Sequence, residues 1–330
     1  MKVYFHLNCL LALAATCLAA TSGAVADVAG AGNNAAAGLM YTNPIIPRYL
    51  ADPCMVLDGD YYYLIATGKA DDGRFLPIYR SKNLSNWEFV RGAVTNGSRT
   101  DWNFKHFWAP EIVKIGGLYH LYYTASPELS PANAGNRVGL AVAKNIEGPY
   151  ENVGVVIRHA SIDGHPFIDR DGALYLLYTI EHGNADGLTA GQIYMDRMLT
   201  PRQSAGKPIP LITHHTWQEG PWLQIHDGKY FLTYSCGNWM DATYHVRYAV
   251  ADSVTGPYVE QPDNILQSTD QVKGPGHHAM FVDRAGKDWI VYHGWDPAFK
   301  ARYPRIERIF FNGTKITSDG PTSTPQRVDK

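Results

Sequence analysis

The sequence predicts an all-β fold, a five-bladed β-propeller in a single domain, on three observations. A turn followed by an aromatic strand occurs five times, and these units begin at positions 58, 116, 171, 227 and 286. The intervals between the starts are 58, 55, 56 and 59 residues, and such a near-constant period is typical of repeat architectures. No segment shows a sustained helical period, which argues against a fold that packs helices on a sheet.

Each repeat supplies the strands of one blade. The turn is a pair such as Asp171-Gly172 or Asp227-Gly228, which favours a tight hairpin. The strand after the turn is rich in Tyr and aliphatic residues, as strands are. A further strand follows, for example at 138–143 or 246–251, and a short apolar strand precedes every turn. About four antiparallel strands per repeat make one propeller blade, so five repeats predict five blades.

The N-terminus has the pattern of a signal peptide. Lys2 supplies the positive charge, an apolar stretch runs from Leu10 to Ala20, and Ala24-Val25-Ala26 fits the cleavage pattern. We therefore predict that residues 1–26 are removed and that the protein is secreted and extracellular. The apolar stretch is short for a membrane-spanning helix, and no later segment is long and apolar enough to be one.

Differences in composition divide the rest of the chain into a leader, a propeller and a tail. Residues 27–42 are rich in Ala and Gly without periodicity and predict a flexible leader. The propeller is expected over residues 43–318, and residues 319–330 read as a loose C-terminal tail. The stretch at Ile45-Ile46 is a candidate to pair with the last blade and help close the ring.

Composition excludes some classes of partner. The chain has 29 Lys and Arg against 31 Asp and Glu, for a formal net charge of −2, and no basic cluster, so no nucleic-acid partner is expected. Aromatic residues make up 12%, and Tyr and Trp suit both strands and sugar binding. Of the four cysteines, Cys54 and Cys236 remain after the signal peptide, and we expect two separate buried thiols. We expect a monomer.

Each repeat also carries a titratable residue near the start of its innermost strand, the strand just before the turn. The five residues are Asp52, Glu111, Asp163, Glu219 and His277. The innermost strands of a propeller line its central channel, so these side chains are predicted to converge at one mouth of that channel. Convergent titratable groups in a concavity are typical of a catalytic site.

Inverting hydrolysis of a glycosidic bond needs such a set. One carboxylate activates water while a protonated carboxyl protonates the leaving oxygen, and the two stand roughly 6.5–9.5 Å apart. Acids from blades 1 and 4, Asp52 and Glu219, can be that far apart across a channel. A third carboxylate would raise the pKa of the acid by repulsion, and Asp163 is placed to do this.

Several of these residues also have structural explanations. Repeated acids at the channel rim could bind backbone amides, and Glu111 is the weakest of the candidates. Trp108 is either a core aromatic or a platform on which a sugar stacks. A zinc site at His277 and His278 is disfavoured, because adjacent residues of a strand point to opposite faces.

In these residues the chain resembles glycoside hydrolase family 43 over about residues 43–311. The resemblance is carried by several ordered motifs: Ala51-Asp52-Pro53, Tyr79-Arg80-Ser81-Lys82-Asn83-Leu84 with Trp87, Trp108-Ala109-Pro110-Glu111, Ile162-Asp163 with Asp169 and Asp171-Gly172, Glu219-Gly220-Pro221 and Gly274-Pro275-Gly276-His277. Together they are specific for the family, whereas each alone is weak. Members of the family are five-bladed propellers and inverting hydrolases.

The resemblance assigns roles to the matched residues. It implies Asp52 as general base, Glu219 as general acid and Asp163 as the residue that tunes the pKa of the acid. It also implies that His277 lies on the propeller axis, where it would contact substrate and, through water, a structural calcium ion. No cofactor is expected to be required for the reaction.

The resemblance also limits the range of substrates that we expect. We expect a hydrolase that releases α-L-arabinofuranosyl residues from plant cell-wall polysaccharides. β-Xylosidase and endo-1,5-α-L-arabinanase activities are the alternatives within the same chemistry. A sugar-binding propeller without hydrolysis is an alternative of another class, since a fold does not determine a function. It would have no need of three convergent carboxylates.

Overall fold

Five antiparallel sheets follow one another along the chain in the computed structural model. The structure describes residues 38–130, 134–182, 187–213 and 216–329, so the predicted signal peptide and most of the leader lie outside the described residues. The first two sheets have four strands each. They comprise β2 (Ala51–Asp58), β3 (Tyr61–Thr67), β4 (Phe75–Ser81) and β5 (Glu88–Val94), then β6 (Lys105–Ile115), β7 (Leu118–Ser126), β8 (Arg137–Ala143) and β9 (Glu151–Val155). Within the described ranges no helix could span a membrane.

The remaining three sheets repeat this arrangement. The third contains β10 (Ser161–Ile168), β11 (Leu174–Ile180), β12 (Ile193–Thr200), β13 (Gln203–Ser204) and β14 (Ile209–Pro210). The fourth contains β15 (Gln218–His226), β16 (Lys229–Cys236), β17 (His245–Ala251) and β18 (Val259–Glu260). The fifth contains β19 (Lys273–Val282), β20 (Asp288–Trp295), β21 (Arg302–Asn312) and β22 (Lys315–Ser318).

The sheets are the blades of a closed ring. The first strands of successive blades contact each other in cyclic order, from β2 to β6, β10, β15, β19 and back to β2. The predicted five-bladed β-propeller is therefore confirmed, with the innermost strand of each blade lying just before its turn. At the turn of blade 4 both Asp227 and Gly228 have positive φ, 46° and 82°, as a tight hairpin requires.

Tyrosines of the repeat fill the interior between the blades. Tyr123, Tyr178, Tyr234 and Tyr292 occupy the same position in the second strands of blades 2 to 5, and all four are fully buried. Their recurrence explains the aromatic strands seen in the sequence, since large rings fill the widening gap between twisted sheets. The two cysteines, Cys54 and Cys236, are buried and free, as predicted.

The two ends of the described chain pair with each other. β1 (Met40–Tyr41) forms an antiparallel ladder with β23 (Gln326–Arg327). The predictions of a flexible leader to residue 42 and a loose tail from residue 319 are therefore wrong at these positions. Backbone pairing satisfies both segments, and the Tyr41 ring packs edge-on against Trp289 at 5.6 Å between centroids.

The segment before blade 1 lies against blade 5. The Ile45 amide donates to the carbonyl of Pro304 at 3.1 Å, and the Leu50 amide donates to the carbonyl of Arg302 at 3.1 Å. The buried side chain of Asn43 donates to the Ile306 carbonyl at 2.9 Å. This segment joins the first blade to the last, as the stretch at Ile45-Ile46 suggested, without forming a regular strand.

Each innermost strand contains a β-bulge at the mouth of the channel. The register shifts there, and the residue at an equivalent position of each strand adopts a left-handed backbone conformation. These residues are Asp52, Ala109, Asp163, Gly220 and His277, with φ of 50°, 46°, 62°, 56° and 45°. Positive φ is uncommon for residues other than glycine, so these bulges need specific support from their surroundings.

That support is a hydrogen bond between neighbouring blades, which we call the seam hydrogen bond. The bulge amide donates to a side chain at a fixed position in the second strand of the preceding blade. The pairs are Ala109 with Thr67 Oγ1 (2.8 Å), Asp163 with Thr124 Oγ1 (3.1 Å), His277 with Ser235 Oγ (2.8 Å) and Asp52 with His293 Nδ1 (3.1 Å). Because bulges bend the strand and expose an unpaired amide, these bonds hold the bulge and the blade interface together.

Blade 4 departs from this pattern. Its bulge amide, Gly220 N–H, donates instead to Oδ2 of Asp163 at 3.0 Å. Thr179 occupies the seam position in blade 3, opposite Ile162. The Thr179 hydroxyl is buried and has no hydrogen-bond partner within the described ranges. A carboxylate has therefore replaced the threonine hydroxyl in this seam.

This difference predicts opposite results for one substitution at two equivalent positions. Thr124→Val removes the acceptor of the Asp163 amide, and leaving a buried amide without a partner costs about 1–3 kcal/mol. Thr179→Val removes a hydroxyl that makes no hydrogen bond, so we expect the free energy of unfolding to stay the same or rise. Urea or guanidinium unfolding of both variants measures the two changes. Equal losses of stability in the two variants would contradict the seam assignment.

Candidate active site

A cavity of about 730 Å³ opens at the mouth of the channel, where the bulges lie. This volume is within the usual range for small-molecule sites, roughly 300–1,000 Å³. Its charged and titratable lining residues are Asp52, Asp163, Glu181, Glu219, His277 and Arg302. Its large aromatic lining residues are Tyr49, Trp108, Trp217 and Trp239. Aromatic rings with a few convergent polar groups suit a sugar.

Asp52 is a buried carboxylate with several donors around it. The Thr67 hydroxyl donates to its Oδ2 at 2.6 Å, and Arg302 Nη1 lies 3.4 Å from its Oδ1. Burial alone would raise the pKa of Asp52. The charges of His277 and Arg302, with a smaller contribution from His293, outweigh that effect and hold the pKa well below its usual range. Asp52 is therefore ionised at neutral pH.

Glu219 precedes the bulge of blade 4 and is 8% exposed. Trp217 Nε1–H donates to its Oε2 at 2.7 Å, and the hydroxyl of buried Tyr244 lies 2.6 Å from its Oε1. Both oxygens of Glu219 therefore accept a hydrogen bond, and the two donors fix the orientation of the carboxyl group.

Asp163 lies between the other two acids. Burial raises the pKa of Asp163 to about 8, opposed by His277 and reinforced by the negative charges of Glu219 and Asp52. His277 Nδ1 lies 3.4 Å from Asp52 Oδ1 and 3.9 Å from Asp163 Oδ2. Burial opposes the charged imidazole, but Asp52, Asp163 and Glu219 together raise the pKa of His277. The cluster thus holds one ionised acid, Asp52, and one acid, Asp163, that retains its proton at neutral pH.

Arg302 connects Asp52 to the aromatic wall of the cavity. Its guanidinium carbon lies 4.5 Å from the ring centroid of Trp239 and 5.6 Å from that of Tyr49, whose hydroxyl accepts from Nη2 at 2.7 Å. The Trp239 carbonyl in turn accepts from the indole of Trp295 at 2.7 Å. The guanidinium is therefore fixed by rings on one side and by the Asp52 carboxylate on the other.

The predicted site residues are brought together, with one exception. Asp52, Asp163, Glu219, His277 and Trp108 all line the cavity. Glu111 does not, because it lies two residues beyond the bulge residue of its blade. Its Oε2 instead contacts His165 Nδ1 at 3.2 Å and the Cys54 thiol at 3.9 Å, one layer further along the channel. The prediction that Glu111 reaches the common mouth is therefore wrong.

The family resemblance implies a calcium ion near His277, and the side chains there can be compared with the ligands that calcium needs. Calcium takes six to eight oxygen ligands. His277 offers nitrogen, while Asp52 Oδ2 and Asp163 Oδ2 already accept hydrogen bonds from Thr67 and Gly220. No group of three or more His, Cys, Asp or Glu among the described residues is arranged to hold a metal. The side chains do not fit direct coordination, and an ion held through water by His277 stays a prediction.

Sequence reasoning missed several residues of this cavity. Trp217 lies two positions before Glu219, and this closeness in sequence to the acid could have identified it as a residue of the cavity. Tyr49, Trp239 and Arg302 lie outside the innermost strands, in the segment before blade 1, after β16 and at the start of β21. Only closure of the ring brings these three together, and no local pattern in the sequence indicates it.

The central cavity of this propeller contains buried carboxyl groups, one of them ionised and another that retains its proton. This combination is typical of enzymes that hydrolyse glycosidic bonds with a pair of acids. The family model described as glycosyl hydrolases family 43 matches residues 41–316, and the chain belongs to this family. It is therefore a hydrolase of glycosyl bonds, as the motifs indicated.

Curated relatives and solved structures agree with this family. The chain is 29% identical to the β-D-galactofuranosidase xynD of Aspergillus niger, over 82% of each chain. It is 30% identical to an extracellular exo-α-(1→5)-L-arabinofuranosidase of Streptomyces chartreusis, covering 83% of this chain and 88% of the relative. A crystal structure of a thermostable family-43 glycoside hydrolase superposes with a TM-score of 0.76 at 28% identity, covering 87% of this chain and 98% of that one.

The protonation of the cluster predicts the alkaline limit of activity. We expect kcat/KM to fall as the pH rises through about 8, where Asp163 loses its proton and becomes a negative charge beside Glu219. Asp52 stays ionised throughout, so its titration does not set this limit. Replacing Asp163 with Asn removes the group that titrates. The fall near pH 8 should therefore disappear from the profile, as measured by initial rates across a buffer series.

A matched control is Glu111→Gln, which removes a carboxylate from the channel but outside the cavity. Its alkaline limb should coincide with that of the wild type. An Asp163→Asn profile that keeps the fall near pH 8 would contradict the assignment of that limb to Asp163.

Proposed function

We propose that the protein is a secreted, inverting α-L-arabinofuranosidase with Asp52 as general base and Glu219 as general acid. The observation that carries this proposal is the contrast within one cavity. Asp52 is held ionised by His277 and Arg302, whereas burial keeps a proton on Asp163, on the side of the cavity where Glu219 lies. An inverting glycosidase needs one carboxyl group in each of these states. A sugar-binding propeller without hydrolysis has no such need.

Asp52 activates the attacking water. Its Oδ2 is held by Thr67, and the same Thr67 hydroxyl accepts from the Ala109 amide in the seam. The carboxylate is thereby oriented by two blades at once. As the water attacks the anomeric carbon, its proton passes to Asp52, which becomes neutral. Arg302 and His277 keep Asp52 ionised before this step.

Glu219 protonates the leaving oxygen. The aglycone can depart as an alcohol only if this proton arrives as the glycosidic bond breaks. Trp217 and Tyr244 fix the orientation of the carboxyl group. Asp163 lies beside this acid and accepts the hydrogen bond of Gly220, the residue that follows Glu219.

The two named relatives support a furanoside as the substrate. One is named as an arabinofuranosidase and the other as a galactofuranosidase. α-L-Arabinofuranosides and β-D-galactofuranosides share the same ring configuration and differ in the exocyclic carbon chain. We place the arabinofuranoside of plant cell-wall polysaccharides first, and the β-D-galactofuranoside is the second candidate because of the Aspergillus relative. β-Xylosidase and endo-1,5-α-L-arabinanase activities remain the further alternatives.

The test is a panel of substrates for the purified protein. It comprises the p-nitrophenyl glycosides of α-L-arabinofuranose, β-D-galactofuranose and β-D-xylopyranose, together with linear 1,5-arabinan followed by product sizing. We expect the highest kcat/KM on the arabinofuranoside and release of arabinose alone from arabinan. Preference for the xyloside, or a ladder of oligosaccharides from arabinan, would contradict the proposal.

Glu219→Gln controls for contaminating activity and tests the acid. The variant keeps the shape and the Trp217 contact but cannot supply a proton. General acids contribute roughly 10²–10⁴-fold to such rates, so hydrolysis of arabinan should fall by that factor. p-Nitrophenolate leaves without protonation, so the synthetic arabinofuranoside should lose much less. Equal losses on both substrates would argue against the acid role.

A further inference from the structure

A row of aromatic rings leads away from the cavity on the side of blades 4 and 5. Trp239, which follows β16, lines the cavity itself. The ring of Trp295, at the end of β20, lies beside it with 6.2 Å between centroids and an interplanar angle of 13°. The ring of Phe299 comes next, 6.0 Å from that of Trp295. Trp295 and Phe299 do not line the cavity, so the row continues beyond its wall.

The row is part of an exposed apolar surface. Trp239 is 38% exposed and Phe299 is 37% exposed. Met240, the next residue after Trp239, is 58% exposed. Exposed apolar patches beside a cavity are typical of ligand-binding grooves. Because Trp239 belongs to both the patch and the cavity, one extended ligand could occupy both.

The turn that presents Phe299 is strained and firmly held. Phe299 has a φ of 53°, a conformation that Gly or Asn adopts more readily. Asp296 Oδ1 accepts from the amides of Ala298 at 2.8 Å and Lys300 at 3.2 Å, and the Phe299 amide donates to the Asp296 carbonyl at 3.0 Å. A ring that stays exposed gains little from packing, so stability alone does not explain a phenylalanine here. Backbone strain of this kind is concentrated at functional sites.

We propose that Trp239, Trp295 and Phe299 form an aromatic platform that binds the leaving part of the polysaccharide, beyond the sugar that is released. Aromatic rings suit the apolar faces of sugar rings. When a terminal sugar fills the cavity, the rest of the chain must lead out of it, and the platform begins at the cavity wall and continues outside. This inference rests on the proposed function for the presence of a glycosidic bond in the cavity, but not on which sugar is released.

The test is the substitution Phe299→Asn, which removes the outermost ring. Asn tolerates the left-handed conformation, and the hydrogen bonds of the turn to Asp296 come from main-chain amides, so the turn should be kept. We expect kcat/KM on 1,5-arabinopentaose to fall about 3- to 10-fold, the size of one lost ring contact. The p-nitrophenyl arabinofuranoside, whose aglycone is a single ring, should be hydrolysed at the wild-type rate. Phe299→Tyr keeps a ring and should keep both rates.

Two further variants separate binding from structure. Phe310→Asn changes a phenylalanine of the same blade that is 45% exposed but lies towards the other end of β21 from Arg302. It should leave the ratio of the two kcat/KM values unchanged. Trp239→Ala removes a ring that also packs on Arg302 at 4.5 Å, so it should lower the rates on both substrates.

Failure of the proposed substrate can be told apart from failure of the platform. If the wild-type protein prefers another p-nitrophenyl glycoside, the pentasaccharide of that sugar replaces arabinopentaose, and the proposed substrate alone is overturned. Calorimetry of the pentasaccharide in the Glu219→Gln background measures binding without turnover. Phe299→Asn should weaken this binding by the same factor as it lowers kcat/KM.

Two results would overturn the inference. If Phe299→Asn changes the two kcat/KM values equally, or changes neither, the Phe299 ring does not bind the leaving chain. If sedimentation shows a wild-type dimer that Phe299→Asn converts to a monomer, the occupant of the platform is a second copy of this protein rather than a sugar chain.

Discussion

The hydrogen bond between a bulge amide and a side chain of the preceding blade is the interaction on which the rest of the structure depends. Without it, five residues in left-handed conformations would carry buried amides with no partner, at a cost of about 1–3 kcal/mol each. Threonine, serine or histidine supplies the acceptor in four of the five seams. In three of the five blades the bulge residue is itself a titratable residue of the cavity, Asp52, Asp163 or His277.

The remaining seam shows how a repeated structural contact acquires a chemical role. In blade 4 the acceptor is Asp163 rather than Thr179. The bond that holds the bulge therefore also fixes the Asp163 carboxyl group beside Glu219. Blade 1 is the counterpart, since Thr67 both accepts the Ala109 amide and donates to Asp52. Positioning and electrostatics at the two acids thus come from the same set of contacts.

The fold could be predicted because its signal is local and repeated. Turn pairs such as Asp227-Gly228 and the tyrosines after them report directly on hairpins and on the packing between blades. The site could be predicted only in part. The number of residues between an acid and the turn does not show where the β-bulge lies. Glu111 was therefore predicted at the mouth of the channel, although it lies one layer further along the channel. Arg302 and Glu181 belong to other strands or to strand ends, and tertiary contacts alone bring them to the cavity.

The roles of the three acids were predicted from a different source than their positions. Spacing along the chain suggested convergence, but base, acid and modulator came from family resemblance. The structure adds a physical contrast between two of these residues. Asp52 lies among cationic groups that keep it ionised, whereas burial and the charge of Glu219 raise the pKa of Asp163. Such opposed environments are how one fold keeps two carboxyl groups in different protonation states at the same pH.

The most direct test of this account is the configuration of the first sugar released. Proton NMR during the early minutes of hydrolysis distinguishes the two anomers before they equilibrate. A water activated by Asp52 on the face opposite to Glu219 must yield the anomer of inverted configuration. Release of the retained anomer would mean that a carboxylate of this cavity attacks the sugar itself, and the assignment of Asp52 as a base would be wrong.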